Sequence, residues 1–301
     1  MTHRNLLGFI GLGVMGEPMC RHLVNKTGRK LIAFDLDSDA FERLAQSSAN
    51  AALVRAQNVT EIAQQAQIIF LSLPSGEVVE RLVCDELLPH LQAGQMIVDL
   101  STSAVDTTRS LAALVMQRGA AYVDAPVART RAAAERGELS VMVGALPEHF
   151  EQIEPFLAKF ASEITHCGGI GCGQIAKILN NMVLFQTVTA LSEAMAIAER
   201  AGMDRALLFE TLSKGSADSF ALRNHGMKSI LPKQFPTRAF SVHYARKDLG
   251  YALRLAEQVG VDAQAARHVD VLYSQAIDAG FGEQYHPVIA RLLDAEFPDV
   301  N

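Results

Sequence analysis

The sequence predicts an α/β fold, with a doubly wound, mainly parallel sheet in the first domain and helices alone in the second. Short apolar runs alternate with amphipathic stretches from Leu6 to about Ile164, as in consecutive βαβ units. One long stretch with apolar residues at helical spacing follows, and no series of strand-like runs comes after it. We therefore predict a first domain over residues 1–164, a second over 165–301, and a joining helix over 174–201.

The predicted strands of the first domain are short apolar runs that end in loop-forming residues. They cover residues 6–10, 31–34, 68–73, 96–100, 121–123 and 141–143. Pro, Ser or Gly follows several of them, as in the segment 74–76. Ligands of open α/β sheets collect at the carboxyl ends of the strands. We therefore expect the functional residues of this domain just after its strands.

The first strand runs into a glycine-rich turn with the spacing GxGxxG. Glycines permit a tight turn and close backbone approach, and the N-terminus of a helix beginning near Pro18 could hold a pyrophosphate. A similar turn also serves ordinary packing of a helix on a strand, so the motif alone leaves both interpretations open. The residues predicted to bind a dinucleotide here are Gly11, Leu12, Gly13, Val14, Met15 and Gly16.

Asp35 ends the second predicted strand, 19 residues after Gly16. An acidic side chain at this distance reaches the adenosine ribose hydroxyls and repels the additional phosphate of NADP. The next residues, Leu36 and Asp37, provide no cation for that phosphate. We predict NAD as the cofactor; the alternative is a solvated strand end in an acidic loop.

Composition limits the partners of the chain. A net charge of −6 without runs of Lys or Arg argues against nucleic acid or an anionic membrane as the main partner and favours a small molecule. The four cysteines form no CxxC pair and have no histidine cluster beside them, so we expect neither a disulfide framework nor a metal site. The N-terminal segment lacks a secretory pattern. We expect a cytoplasmic protein.

A polar cluster interrupts the long helix. Lys177, Asn180 and Asn181 share one side of it by their spacing, among apolar neighbours. The helix is long enough to span a membrane, but its charged and amide residues favour burial within protein. A lysine in such surroundings can exchange protons with a substrate hydroxyl. The alternative is a surface lysine whose stem covers apolar residues, with the two amides in a helix contact.

Five segments, in order along nearly the whole chain, together resemble one family. They are GFIGLGVMGEPM at 8–19, DLST at 99–102, DAPV at 124–127, GxGxxxKxxNN at 171–181 and KDL at 247–249. The family is the β-hydroxyacid dehydrogenases, which include 3-hydroxyisobutyrate dehydrogenase and tartronate semialdehyde reductase. The resemblance implies a Rossmann-type first domain, a second domain like the C-terminal domain of 6-phosphogluconate dehydrogenase, and substrate bound between the domains.

The resemblance also implies a role for individual residues. Lys177 would be the catalytic acid and base, and Ser101 and Asn181, with Asn180 beside it, would hold the substrate. The implied cofactor contacts are Thr102 near the nicotinamide, Leu73 and Pro74 along the dinucleotide, and Val79 on the adenine side. Lys247 would approach the cofactor or the substrate from the second domain.

The chain departs from the family after DAPV. Most members continue with Ser-Gly-Gly, whereas this chain has Ala128, Arg129 and Thr130. A guanidinium is a forked donor suited to a carboxylate, sulfonate or phosphate, so we predict Arg129 and Thr130 as substrate ligands. A similar Val-x-Arg-Thr segment occurs in sulfolactaldehyde reductase, a branch of the family. The alternative is an Arg129 that turns outward or pairs with Asp124 or Glu135.

These observations predict an NAD-dependent oxidoreductase that interconverts a short anionic β-hydroxyacid and its semialdehyde. The candidate substrates are 3-hydroxyisobutyrate, tartronate semialdehyde (2-hydroxy-3-oxopropionate) and sulfolactaldehyde. A dinucleotide-binding regulator without turnover, or an imine reductase, is an alternative that the intact Lys177 argues against. The apolar faces of the helical domain lead us to expect a homodimer or homotetramer.

Overall fold

A computed structural model describes residues 6–48, 52–237 and 239–293. The first part of the chain forms one nine-stranded sheet, because its apolar runs are rich in the β-branched and aromatic residues that strands favour. Its strands are β1 Leu6–Ile10, β2 Leu31–Phe34, β3 Leu53–Arg55, β4 Ala66–Leu71, β5 Met96–Asp99, β6 Ala121–Asp124, β7 Val127–Ala128, β8 Leu139–Gly144 and β9 Ala161–Gly168.

Helices connect most of the strands and follow them in the rest of the described chain. They are α1 Gly16–Thr27, α2 Ser38–Ser47, α3 Val59–Gln65, α4 Gly76–Arg81, α5 Val105–Gln117, α6 Arg131–Arg136, α7 Pro147–Leu157, α8 Cys172–Arg200, α9 Arg205–Leu212, α10 Val242–Gln258 and α11 Gln264–Asp278. Two π-helical segments, Leu82–Leu87 and Leu222–Ile230, and a 3₁₀ segment, His286–Leu293, complete them.

The strand order places the loops that follow the parallel strands together, at the carboxyl ends of those strands. The order is β3-β2-β1-β4-β5-β6-β8-β7, and the first six strands are parallel. This is the order of a doubly wound nucleotide-binding sheet with its switch point between β1 and β4. The carboxyl ends of these strands therefore lie together. The predicted fold class is confirmed, with a parallel sheet followed by helices.

The chain divides into two compact units, with the division between Lys177 and Ile178. The boundary expected at residue 164 instead falls inside β9, which pairs with β8 from Ala161 to Gly168. Those four further residues belong to the sheet because their backbone completes its ladder. The predicted helix over 174–201 is α8, which begins two residues earlier and ends one residue earlier.

Three strands carried too little signal to be predicted from the sequence. β3 and β7 have only three and two residues, shorter than an interpretable apolar run. β9 has the sequence ASEITHCG and is mostly exposed or half-buried. It joins the sheet through β8 alone, so neither of its faces needs the apolar alternation of a central strand.

The sheet is covered by a hydrophobic core on each face. One core contains Phe9, Phe70 and Val98, and the other contains Ile10, Ile69 and Ile97. Neighbouring residues of each strand thus enter opposite cores, as the two-residue period of a strand requires. The continuous apolar runs of β1, β4 and β5 follow from burial on both faces.

The helix α8 passes a test of length and composition for a membrane span, with a mean hydropathy of 1.2 over its most apolar stretch. The core helix of a soluble protein meets the same test. Part of α8 lies in the core of the second unit, where Phe185, Val188, Leu191 and Met195 are buried. This packing accounts for much of the apolar composition.

The core of the second unit contains two buried histidines. His225, in a π-helical segment, shares a hydrogen bond of 2.5 Å with the Tyr285 hydroxyl, and His286 shares one of 3.1 Å with Tyr273. The two imidazole rings lie 5.4 Å apart. Burial lowers the pKa of His225 from 6.5 to about 4 and that of His286 well below its ordinary value, because a charged ring loses its hydration there.

We expect His225 to make the free energy of unfolding depend on pH. His225 protonates near pH 6.5 when unfolded but only near 4 when folded, so its contribution is fully present above pH 6.5 and is lost as the pH falls toward 4. Between pH 7 and 4.5, His225 should remove about 2 to 3 kcal/mol from the free energy of unfolding. Urea unfolding at both pH values checks this, with His225→Gln expected to lose that much less. Equal losses in both proteins would contradict the prediction.

Candidate active site

The glycine turn after β1 combines two tightly packed glycines with an open one. Gly11 has a φ of +96°, and a side chain there would overlap the carbonyl of Ser72. A side chain at Gly16 would overlap the carbonyl of Gly11. Gly13 is exposed and has no atom within 4 Å of the position of a Cβ. The turn is therefore closed on the protein side and open above Gly13, which fits the approach of a pyrophosphate.

Asp35 stands beside this turn, as the sequence predicts. Its Oδ2 accepts a hydrogen bond from the amide of Leu12 at 2.5 Å, and its Oδ1 accepts one from the amide of Asp37 at 2.8 Å. These bonds fix a half-buried carboxylate next to the glycine turn. The arrangement fits an acidic residue that receives ribose hydroxyls.

A cavity of about 380 Å³ opens next to Asp35. Ser38, Phe41 and Arg55 line it as well. Arg55 stands over the Phe41 ring at 5.4 Å and forms an exposed ion pair of 3.2 Å with Glu42. The sequence around Asp35 offered no cation, but β3 brings one to the same cavity.

The other predicted cofactor residues occupy different positions around the turn. Val14 and Pro74 are exposed, while Met15, Leu73 and Thr102 are half-buried. The Leu12 side chain lies in the core, so only its backbone faces the turn. Val79 is fully buried in the core on the other face. Its side chain has no accessible surface, so the structure does not place it where a ligand could contact it.

The loop after β5 is held by the buried carboxylate of Asp99. Its Oδ1 accepts a hydrogen bond from the amide of Ser101 at 2.9 Å, and its Oδ2 accepts one from the Tyr122 hydroxyl at 3.1 Å. Burial raises the pKa of Asp99 to about 6, against the opposing effect of these bonds. The Ser101 Oγ in turn accepts a bond from the amide of Leu73 at 2.9 Å. The loop is thereby fixed to the ends of both β4 and β5.

Asp124, at the end of β6, holds the beginning of α8. Its carboxylate accepts hydrogen bonds from the amides of Gly171 at 2.7 Å and Gln174 at 2.9 Å. A side chain at Gly144 would overlap this carboxylate, and one at Gly173 would overlap the backbone of β6 and β8. Burial raises the pKa of Asp124 to about 6, although the two amide bonds lower it. The first turn of α8 is thus seated directly on the sheet.

Lys177 follows on this helix, one turn after Gln174. It is buried, with 8% of its surface exposed. The alternative of an exposed surface lysine is therefore wrong. Its burial on a helix whose start is fixed to the sheet gives a proton-exchanging group a defined position.

In the second unit, the buried side chains of Asn181 and Asp248 lie between the exposed Asn180 and the half-buried Lys247. Its Nδ2 donates to Asp248 Oδ2 at 2.8 Å and its Oδ1 accepts a bond from Asn180 Nδ2 at 3.1 Å. Lys247 forms an ion pair of 3.1 Å with Asp248, and its ammonium stands 5.5 Å and 5.4 Å from the centres of the Tyr244 and Tyr251 rings. Asp248 therefore joins two residues that the sequence assigned to the site separately.

The Arg129 guanidinium bonds to groups far from the Asp124 end of β8. Its Nη1 donates to the carbonyl of Glu138 at 2.6 Å and to Ser162 Oγ at 2.8 Å, at the first end of β8. Asp124 meets the other end of this strand, at Gly144, roughly 17 Å along it. Arg129 is exposed, as the outward alternative expects, but it bonds to neither Asp124 nor Glu135. Thr130 Oγ1 accepts a bond of 3.4 Å from the amide of Ala133 and caps α6.

Arg129 also has an unusual backbone conformation. Its φ is +84°, in the left-handed region that favours glycine. The preceding residues of the loop pair with β8 in register, which fixes the path of the chain. Among residues 6–48, 52–237 and 239–293, no group of three or more His, Cys, Asp and Glu residues could hold a metal ion.

Comparisons with known sequences show the family of this chain. Residues 6–169 match the family described as the NAD binding domain of 6-phosphogluconate dehydrogenase, and residues 171–293 match the NAD-binding of NADP-dependent 3-hydroxyisobutyrate dehydrogenase. The chain is 32% identical to 2-(hydroxymethyl)glutarate dehydrogenase of Eubacterium barkeri, over 96% of this chain and 94% of the relative. The chain belongs to the β-hydroxyacid dehydrogenase family.

Two further relatives have different named activities. The 2-hydroxy-3-oxopropionate reductase of Escherichia coli is 30% identical over 96% of this chain and 97% of that protein. The structure of the Mycobacterium tuberculosis 3-hydroxyisobutyrate dehydrogenase with L-serine matches at a TM-score of 0.85 and 28% identity, covering 97% of this chain and 99% of the other. This β-hydroxyacid dehydrogenase therefore uses NAD(P) and acts on the CH–OH group of a hydroxyacid.

Sequence reasoning did not single out three residues that bond to a predicted site residue, or share a cavity with one, in the same unit of this β-hydroxyacid dehydrogenase. They are Arg55, Gln174 and Asp248. Gln174 lies within the segment 171–181, and Asp248 lies within KDL at 247–249. A polar residue at a buried helix position is the signal from which both could have been predicted. Arg55 carried no signal, because β3 itself was not predicted.

Proposed function

We propose that this protein is an NAD-preferring dehydrogenase that interconverts a short anionic β-hydroxyacid and its semialdehyde, with Lys177 as the acid and base. The observation that carries the proposal is the buried Lys177 on a helix whose first turn Asp124 seats on the sheet. Bound NAD(P) supplies the hydride acceptor or donor. The residues of this chain supply the proton and the substrate contacts.

The proton chemistry follows from the position of Lys177. Oxidation of an alcohol carbon releases a hydroxyl proton, which a neutral Lys177 amine takes up through Nζ. Reduction returns the proton from the ammonium to the developing alkoxide. Ser101 and Asn181 hold the substrate in this proposal. Both are buried and fixed by hydrogen bonds, so they present their polar groups at low entropic cost.

The preference for NAD follows from Asp35. A carboxylate fixed by two amides cannot turn away from the additional phosphate of NADP. We expect Asp35→Ser to raise kcat/KM for NADPH by about tenfold or more, because removal of a like charge lowers a repulsion of several kcal/mol. Initial rates with NADH and NADPH measure the change. An unaltered ratio of the two values would place the ribose contact elsewhere.

Arg55 provides the control for this change. In Asp35→Ser, the cavity still contains the Arg55 guanidinium, which can pair with a phosphate in a forked geometry. The increase in kcat/KM for NADPH should therefore be smaller in the double variant that combines Asp35→Ser with Arg55→Ala. If the double variant keeps the whole gain, Arg55 is outside the phosphate position.

The identity of the substrate is tested by measuring kcat/KM for a panel of short hydroxyacids with NAD and for their semialdehydes with NADH. We expect the highest kcat/KM with a carboxylate such as 3-hydroxyisobutyrate or with 2-hydroxy-3-oxopropionate. Because the Arg129 guanidinium bonds to Glu138 and Ser162, Arg129→Ala should change these values by less than about threefold. No turnover with any member of the panel would contradict the proposed function.

A second candidate is a sulfonate substrate, sulfolactaldehyde. It is favoured by the φ of +84° at Arg129, since strained non-glycine residues concentrate at functional sites. A guanidinium released from Glu138 and Ser162 would supply paired donors to a sulfonate. In that case the panel shows a strong preference for sulfolactaldehyde, and Arg129→Ala removes it.

We also propose that the protein is a homo-oligomer of the cytoplasm. Support for assembly comes from exposed apolar side chains along α8, which are Leu179, Val183 and Ile197. Exposed apolar surface that follows one helix is typical of protein interfaces. Light scattering after size-exclusion chromatography measures the mass, and a monomer would contradict the proposal.

A further inference from the structure

The side chain of Gln174 links the catalytic helix to the loop after β5. Its Nε2 donates to the carbonyl of Ser101 at 2.8 Å, and its Oε1 accepts a hydrogen bond from the amide of Ser103 at 3.1 Å. The residue is fully buried. Both ends of one amide are thus used on a single three-residue loop.

The loop and the helix are each rigid at the point where Gln174 joins them. Asp99 holds the loop through the amide of Ser101 and the hydroxyl of Ser103, at 2.9 Å and 3.4 Å. Asp124 holds the helix through the backbone amide of Gln174 itself, at 2.9 Å. The backbone of Gln174 is therefore bonded to the end of β6, and its side chain is bonded to the loop that follows β5.

The side-chain amide of Gln174 meets both demands of this position. The Ser101 carbonyl needs a donor and the Ser103 amide needs an acceptor, and the Gln174 amide carries both on one planar group. Lys177 follows three residues later, a rise of roughly 4.5 Å along the helix. The amide therefore sets the distance between the helix turn that carries Lys177 and the loop that carries Ser101.

We infer that Gln174 is a positioning residue for the reaction, one that holds Lys177 in register with the substrate-binding Ser101 without touching substrate or cofactor. This inference rests on the proposed function, which makes Lys177 the proton carrier and Ser101 a substrate contact. An error of about 1 Å in such a pair can cost about 100-fold in rate. The loss should fall on kcat, because proton transfer depends more steeply on distance than binding does.

The test compares Gln174→Met with Gln174→Glu and the control Gln186→Met. Met keeps the length of the side chain and removes both hydrogen bonds, whereas Glu keeps the acceptor for Ser103 and loses the donor to Ser101. Gln186 lies on the same helix, α8, three turns further on, outside the proposed site. Steady-state rates, the deuterium isotope effect with substrate labelled at the carbinol carbon, and NADH affinity by fluorescence are measured for each protein.

We expect kcat to fall about 10- to 100-fold in Gln174→Met, with KM and NADH affinity within about twofold and a larger isotope effect. Gln174→Glu should lie between it and the wild type, and Gln186→Met should match the wild type. A kcat within threefold in Gln174→Met overturns the inference. So does a loss confined to KM or to NADH affinity. If Gln174→Met does not fold, Gln174→Glu decides by the same criteria.

A second readout separates this inference from the proposed function. Competitive acetylation of lysines, followed by mass spectrometry, reports the surroundings of Lys177 without any substrate. Its acetylation rate relative to the exposed Lys214 should change at least threefold in Gln174→Met and not in Gln186→Met. An inactive wild type with this change contradicts the proposed substrate class alone. An unchanged rate overturns the positioning role, whatever the activity of the wild type.

Discussion

Replacement of Lys177 by Ala should lower kcat by about 1,000-fold in both directions while NADH binds with nearly unchanged affinity. The loss follows from removal of the group proposed to carry the proton, and general acid–base catalysis typically contributes 100- to 10,000-fold. The cofactor turn lies at the end of β1, whereas Lys177 lies on α8, so the affinity for NADH should not depend on it. Stopped-flow turnover and fluorescence titration measure the two quantities.

Two comparisons strengthen this experiment. Lys214→Ala removes an exposed lysine that pairs with Glu210, and it should leave kcat unchanged. Small primary amines added to the Lys177→Ala protein should restore part of the rate, because the truncated side chain leaves room for a substitute base. Near-normal turnover in Lys177→Ala would mean that another group transfers the proton.

Gly13→Ala should weaken cofactor binding without affecting stability, whereas Gly11→Ala should lower stability. At Gly13 a methyl group meets no protein atom within 4 Å, so the fold should tolerate it while the bound pyrophosphate is pushed away. We expect the Kd for NADH to rise about 100-fold with the free energy of unfolding unchanged within about 0.5 kcal/mol. Fluorescence titration and urea unfolding provide both values.

At Gly11 the same substitution should damage the fold itself. Its φ of +96° is unfavourable for Ala, and the methyl group would overlap the Ser72 carbonyl. We expect the free energy of unfolding of Gly11→Ala to fall by about 3 kcal/mol or more. Gly28→Ala is the matched control, since Gly28 ends α1 with a φ of +66° and open space. It should cost about 1 kcal/mol and leave NADH binding intact. Similar behaviour of Gly11→Ala and Gly13→Ala would contradict this division of roles.

Local patterns in the sequence were enough to predict the fold class and the cofactor turn. The GxGxxG spacing, the acidic residue Asp35 and the apolar period of α8 each depend on neighbours within about 20 residues, and the structure contains all three features. The burial of Lys177 follows from the apolar residues around it. Such features are predictable because short-range sterics and periodicity determine them.

The parts of the site that escaped prediction depend on contacts between distant segments. Arg55 reaches the cavity beside Asp35 through a three-residue strand with little sequence signal. Gln174 meets Ser101 and Ser103 from more than 70 positions away. Arg129 has donors suited to an anion, but the direction of its side chain depends on its φ and on Glu138 and Ser162. None of these determinants can be read from the residue itself.

The backbone at Arg129 has a consequence for how this loop can diverge. The pairing of Val127 and Ala128 with β8 sets a backbone path that suits glycine at position 129. Replacement of Arg129 by Gly would relieve backbone strain of about 1 kcal/mol. A Gly at this position would keep the path of the loop, and only the bonds of the Arg129 side chain to Glu138 and Ser162 would be lost.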